Sequence, residues 1–191
     1  MLLVGKDGRM NPNPKFRLQG LLLASLVFIA DQMVKFAMLG PLQLKERGVV
    51  HIVSFFDLRY AENRGVSMSF LTADSDGERW ALVALTAVIA VGVGAWMWRE
   101  KLRGDVLALS LVLGGALGNI VDRVRYGYVV DYADLHFGAF RPFYIFNLAD
   151  ACISMGVLIL LARAFLIGDK ETGRGPDVQE PASNADIVEK S

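Results

Sequence analysis

Residues 18–39, LQGLLLASLVFIADQMVKFAML, form an apolar run interrupted near its end by two charges, Asp31 and Lys35. A helix rising about 1.5 Å per residue needs roughly 20 apolar residues to cross a hydrocarbon layer about 30 Å thick, and this run has that length. Lys6, Arg9, Lys15 and Arg17 precede it as in a secretory leader. The internal charges, and the absence of a small-residue cleavage pattern after it, make it a retained span instead.

Three further apolar runs follow, Trp80 to Trp98, Val106 to Val121 and Leu148 to Ile167, the third short unless its flanking residues snorkel. The sequence therefore predicts a mainly α membrane protein with four transmembrane helices in a domain over 18–167. It is flanked by a cytoplasmic tail (1–17) and a polar tail (168–191) whose composition predicts disorder. An even number of spans puts both termini on one side. Arg99, Lys101 and Arg103 between the second and third runs, with Arg163 and Lys170 after the fourth, mark that side as cytoplasmic. The longer segments, about 40–79 and 122–146, then face outward. Within the first, VVHIVSFFDLRY (49–60) is rich in β-branched and aromatic residues, which predicts a small extracytoplasmic β-sheet. Trp80, Trp96 and Trp98 at the ends of the second run suit the headgroup layer.

Composition agrees with a membrane protein: 53% of the 191 residues are apolar and the mean hydropathy is +0.38. Formal charge is zero, which argues against a nucleic-acid partner. One cysteine, Cys152, excludes an internal disulfide, and the two histidines, His51 and His136, stand in no ligand motif. No metal and no cofactor are expected.

Ionisable groups in or beside a spanning helix are costly unless paired or hydrated, so each needs a reason. Asp31 and Lys35, four apart, share a helical face and read first as a structural ion pair, with orientation of a substrate or loop as the lesser alternative. In GGALGNIVDRVRYGYVVDYADL (114–135), Asn119, Asp122 and Arg123 fall on one face at three- and four-residue spacing. Gly114 and Gly118 form a close-packing step. Asp122 and Arg123 are a charge cluster at a helix end or support for a site; both readings stand open. Asp131, and Asp150 at the start of the fourth run, lie at the outer ends of the third and fourth spans, with Asn147 three residues before Asp150. Two carboxylates that converge share one proton, giving one acid and one base able to activate a water on a peptide carbonyl. Polar contacts between helices, or a proton pathway, would place acids here as well.

The ordered motifs resemble the bacterial lipoprotein signal peptidase (signal peptidase II) family. They are Asp31-x-x-x-Lys35, Asn63-x-Gly65 followed by Ser69-Phe70, Gly118-Asn119-x-x-Asp122-Arg123, Val130-Asp131-Tyr132 with Asp134, and Phe146-Asn147-x-Ala149-Asp150. The resemblance spans about Leu18 to Ile167. It implies a membrane aspartyl endopeptidase with Asp131 and Asp150 as the catalytic pair. It also implies that Asp31, Lys35, Asn63, Gly65, Asn119, Asp122, Arg123 and Asn147 support the site or bind substrate. The implied substrate is a diacylglyceryl-prolipoprotein cut before its lipidated cysteine, entering sideways with its acyl chains among membrane lipid. A globomycin-type inhibitor, a monomeric state, the inner (cytoplasmic) membrane and a site near its outer face are implied too. The chain departs from the family at Ser67-Met68, where Ala then an aromatic are commoner, and at Tyr132, where Phe is commoner.

Two rivals come from other chemistries. Ser67 or Ser69 with a neutral Lys35 would make a Ser/Lys peptidase, but Asp31 four residues away keeps Lys35 charged. A small transporter using membrane carboxylates is the other, and no inverted repeat supports it.

Overall fold

The structure is a computed structural model describing residues 13–65 and 76–172, the side chains of 76 and 167–172 excepted. The expected tails therefore fall largely outside the described residues, and Ser67, Met68, Ser69 and Phe70 fall outside them entirely.

Among the described residues, four helices are long and apolar enough to cross a membrane: α1 (Pro14–Leu39), α3 (Asp76–Arg99), α4 (Arg103–Tyr126) and α5 (Leu148–Thr172). The single-turn α2 (Leu44–Arg47) and the strands β1 (Val49–Val53), β2 (Phe56–Asn63) and β3 (Val129–Leu135) complete the fold. α1 starts where Pro14 occupies the first turn and the Asn13 side chain accepts the Lys15 N–H at 3.0 Å. The third span is longer than the apolar run alone predicts. Asp122 and Arg123 lie inside α4, whose 24 residues cover about 36 Å. Gly127, at φ +86°, ends it, its N–H donating to the Arg123 carbonyl, and Arg79 of α3 donates to the carbonyls of Arg123 and Val124.

Polarity runs inside out. Leu22, Leu26, Met33, Phe36, Val88, Val91 and Phe165 stand exposed, whereas Asp31, Lys35, Asn119 and Asp122 are buried. Apolar side chains turned outward on long helices are what a lipid surround requires, and the chain is a multi-pass membrane protein. Trp80, Trp96 and Trp98 are about half exposed rather than packed in a core. The Arg79 guanidinium lies 5.1 Å from the Trp80 ring and that of Arg17 lies 4.9 Å from Trp98, so each end of α3 carries an aromatic–arginine pair.

α4 sits at the centre, packed against α1, α3 and α5. Glycines let the backbones close. A Cβ on Gly114 would lie 2.5 Å from the Ala24 carbonyl oxygen of α1, and one on Gly115 would lie 2.5 Å from the Ala149 carbonyl oxygen of α5. At Gly118 the same atom would collide with the Asp31 carboxylate, which is fixed by other bonds and has nowhere to retreat. Gly118→Ala is therefore expected to destabilise by about 1–3 kcal/mol, read as a lower apparent melting temperature in detergent. Wild-type stability in that variant would show that Asp31 is free to move.

The sheet runs β1-β2-β3, all antiparallel. Its β1–β2 hairpin covers the stretch 49–60 whose composition predicts strands, and β2 continues three residues further, to Asn63. β3, by contrast, comes from the second outer segment. Leu44, Tyr132 and Ala133 form its small core, with Leu58, Tyr60 and Phe146 packed on them.

Candidate active site

Asp131 is on β3, not at a helix end as the sequence suggests, and what brings it to Asp150 is a backbone bridge. Phe146, just before α5, pairs with Ala133: Ala133 N–H donates to Phe146 O at 2.8 Å and Phe146 N–H donates to Ala133 O at 3.0 Å. The strand and the start of α5 are thereby tied side by side.

The first turn of α5 is a reciprocal cap. Asn147 Oδ1 accepts the Asp150 N–H at 2.9 Å, and the Asp150 carboxylate accepts the Asn147 N–H at 3.3 Å. A carboxylate at that position also lies in the favourable field of the helix N-terminus. The remaining amides of the turn are satisfied from other elements. Leu148 N–H donates to the Tyr132 hydroxyl of β3 at 3.1 Å, and Ala149 N–H donates to Asp31 of α1, also at 3.1 Å. No backbone donor there is left over.

Asn147 joins the two acids. Its Nδ2 donates to Asp131 at 2.6 Å while its main-chain N–H holds Asp150. Asn119 of α4 donates from Nδ2 to the other Asp150 oxygen at 2.8 Å, and its Oδ1 accepts from Asn147 and from Lys35, each at 3.3 Å. Both asparagine side chains have their orientation fixed by these partners.

Beneath lies a buried charge cluster. Lys35 Nζ stands 2.8 Å from Asp31 and 2.8 Å from Asp122. The predicted Asp31–Lys35 pair is thus a triad, with Asp122 as its third member. Asp122 also accepts the Val130 N–H at 3.1 Å, which anchors β3 one residue before Asp131. Gln32, not among the expected site residues, donates to Asp31, Asp122 and the Gly118 carbonyl. Its signal was an amide inside an apolar run, beside a charge.

Arg123, one residue beyond Asp122 on α4, is close enough to feel the charges of Asp122, Asp131 and Asp150. It lines a cavity of ≈ 870 Å³ with Asn63, Gly65, Leu82, Asp131 and Tyr144, and its buried Nε finds no hydrogen-bond partner among the described residues. Gly65 takes φ +94°, its N–H bonded to Asn63 Oδ1 at 3.0 Å, and a Cβ there would lie 2.6 Å from Leu82 of α3. Asp150 opens on an adjoining cavity of ≈ 430 Å³ that shares Asn63, Tyr144 and Ile145 with the first. The ten residues singled out in the sequence thus occupy one connected neighbourhood.

Burial, then the charge of Asp150, pushes the Asp131 carboxyl up to about 6, against the pull of the Asn147 and Asn63 amides and of Lys35. Burial likewise raises the Tyr132 phenol, to about 12. That hydroxyl stays protonated at neutral pH, with its oxygen accepting from Leu148.

Residues 23–166 match the family model described as Signal peptidase (SPase) II. The chain belongs to the signal peptidase II family. The lipoprotein signal peptidase of Rhizorhabdus wittichii is 57% identical over 166 residues, covering 87% of this chain and 92% of that protein. That of Sphingopyxis alaskensis is 56% identical over 151 residues, covering 79% and 87%. Among solved structures, a bacterial membrane enzyme determined by the in meso method at 2.3 Å superposes with a TM-score of 0.66 at 25% identity, covering 84% of this chain and 94% of that one. Signal peptidase II is an aspartic-type peptidase family, and the polar neighbourhood just described lies within the matched residues.

Tyr132 holds the helix that carries Asp150, a contact a phenylalanine cannot make. Tyr132→Phe leaves the Leu148 N–H without its acceptor. The expected cost is about 1 kcal/mol of stability, with a several-fold loss of turnover, checked by melting and steady-state rates on one preparation. Equal stability and turnover in the two proteins would make the contact incidental.

Proposed function

We propose that this protein removes the signal peptide from prolipoproteins whose cysteine already carries diacylglycerol, cutting before that cysteine with a water activated by Asp131 and Asp150. The observation that carries this reading is Asn147 holding both carboxyls at the junction of two cavities, in a chain of the signal peptidase II family.

The reactive form of the site holds one proton between the two acids, on Asp131. Asp150 removes a proton from the water as its oxygen attacks the scissile carbonyl carbon, and Asp131 gives its proton to the carbonyl oxygen. The tetrahedral diol then collapses. The proton on Asp150 passes to the leaving nitrogen, the C–N bond breaks, and a hydroxyl proton of the diol returns to Asp131. Arg123 and Asn63, facing the larger cavity, supply donors for the peptide backbone of the substrate. Lys35, Asp31, Asp122 and Asn119 keep the two acids in place.

The apolar mouth beside Asp150, with Phe143 and Phe146, suits entry from the bilayer with acyl chains left in lipid. Both termini are cytoplasmic and the sheet lies at the outer face of the inner membrane, where the enzyme acts as a monomer. A globomycin-type inhibitor fills the same cavities. Purified protein is incubated in detergent with diacylglyceryl-modified and unmodified prolipoprotein. Cleavage of the modified form alone is expected, and equal cleavage of both would remove the lipid requirement. Ser67→Ala with Ser69→Ala is expected to retain cleavage; its complete loss would favour a serine nucleophile.

The raised Asp131 carboxyl gives a pH signature. Because its folded value, about 6, lies above the ordinary 3.8, its contribution to stability is fully present below pH 3.8 and is lost as pH rises through about 6. Apparent melting temperature should fall across that window in wild type and fall less in Asp131→Asn. The acid form also empties there, so kcat/KM should decline on the alkaline side. A melting profile identical in the two proteins would place the proton elsewhere.

A further inference from the structure

Near the end of β3, Asp134 is buried, yet two arginines share it. Arg141 Nε donates to both of its oxygens, at 3.1 and 3.2 Å, and Arg59 Nε of β2 stands 3.5 Å away, beyond good hydrogen-bond geometry. One carboxylate answers two guanidiniums. The neighbouring carboxylate, Asp57, opposite Asp134 in the β2–β3 register, is occupied by His51 at 2.9 Å and His136 at 3.1 Å. The two arginine side chains are 42% and 44% exposed, and among the described residues their terminal Nη groups meet no acceptor. They line a cavity of ≈ 530 Å³ with Phe143 and Tyr144.

That cavity adjoins the candidate active site: Tyr144 and Ile145 line it and also both cavities that hold Asp131 and Asp150. A chain leaving the two acids over Tyr144 passes onto the arginines. The signal segment of a membrane substrate stays among apolar side chains, so the part that crosses the sheet is the water-borne, mature portion. A guanidinium fork matches a carboxylate in plane and spacing, which a hydroxyl or amide does not reproduce. Building on the proposed peptidase function, we infer that Arg59 and Arg141 form a specificity subsite for an acidic side chain of the substrate, a few residues downstream of the modified cysteine.

The test uses diacylglyceryl-modified peptides differing only by Asp, Ala or Lys at each of roughly the first five positions after that cysteine, an extended span of about 16 Å. At one position wild type should favour Asp over Ala about fivefold in kcat/KM, mainly through KM, with Lys poorest and the preference fading as salt rises. Arg141→Gln and Arg59→Gln should each bring the Asp/Ala ratio close to one, and Arg141→Lys should give an intermediate ratio. The ratio is taken within one preparation, so partial misfolding does not alter it. An unchanged ratio in both glutamine variants overturns the inference. So does an unchanged ratio accompanied by loss of stimulation by anionic phospholipid vesicles, which would make this a headgroup site. Fluorescence anisotropy of the same peptides on Asp131→Asn reads recognition without cleavage. An Asp preference there supports the subsite even if wild type cuts nothing, a result that would count against the peptidase function alone.

Discussion

Asp131→Asn and Asp150→Asn each lower kcat/KM on a diacylglyceryl-modified prolipoprotein by on the order of 10³-fold, because an amide neither takes the proton of water nor supplies one to the carbonyl oxygen. The two variants are expected to differ in stability, which separates chemistry from folding. Asn at 131 removes a carboxyl that is costly to ionise in its buried place, so this variant should melt at least as high as wild type at pH 7.5. Asn at 150 must accept from Asn119 Nδ2 and from the Asn147 N–H with only one oxygen. Asn119 is not free to turn over, since its Oδ1 already serves Lys35 and Asn147, so this variant should melt lower. The double variant should be no slower than the worse single one, as residues acting as a unit are not additive. Retention of more than about a tenth of the activity by either single variant would remove the two-acid mechanism.

Lys35→Met has the second large effect, and it falls on the fold. Lys35 stands between two carboxylates that are themselves buried, and the variant leaves both uncompensated. Removing one partner of a buried ionic cluster costs about 3–5 kcal/mol, enough to abolish most folded protein in detergent. Combining Lys35→Met with Asp31→Asn and Asp122→Asn should recover much of that loss, because no stranded charge remains. Size-exclusion profiles and thermal melts of the single and triple variants decide the matter. A single variant as stable as wild type would mean that water reaches the cluster.

The spans were legible because crossing lipid imposes a length and an apolar surface that a linear scan can count. Their ends were less so: Asp122 and Arg123 look like the limit of an apolar run, yet α4 continues through them because the triad and the cavity accommodate their charges. The resemblance pointed to the ten site residues, but their arrangement was hidden by distance along the chain. β3 exists because β2 offers it an edge, and Asp131 is placed by that pairing and by the Phe146 bridge rather than by helical spacing. Asn147-x-x-Asp150 is a capping pattern that could have been read directly. Gln32 offered only the signal of an amide in an apolar run, and the partners of Gln32 and Tyr132 are not apparent until α1, α4, β3 and α5 meet.

The way the fourth span begins has a consequence for biogenesis. Its opening amides are answered from the first span, from the strand and from its own asparagine, so Asp150 acquires its surroundings only when this helix docks on elements made before it. On the proposed mechanism a nascent chain with three helices inserted is expected to be an inert precursor, so the bilayer meets no half-assembled hydrolase.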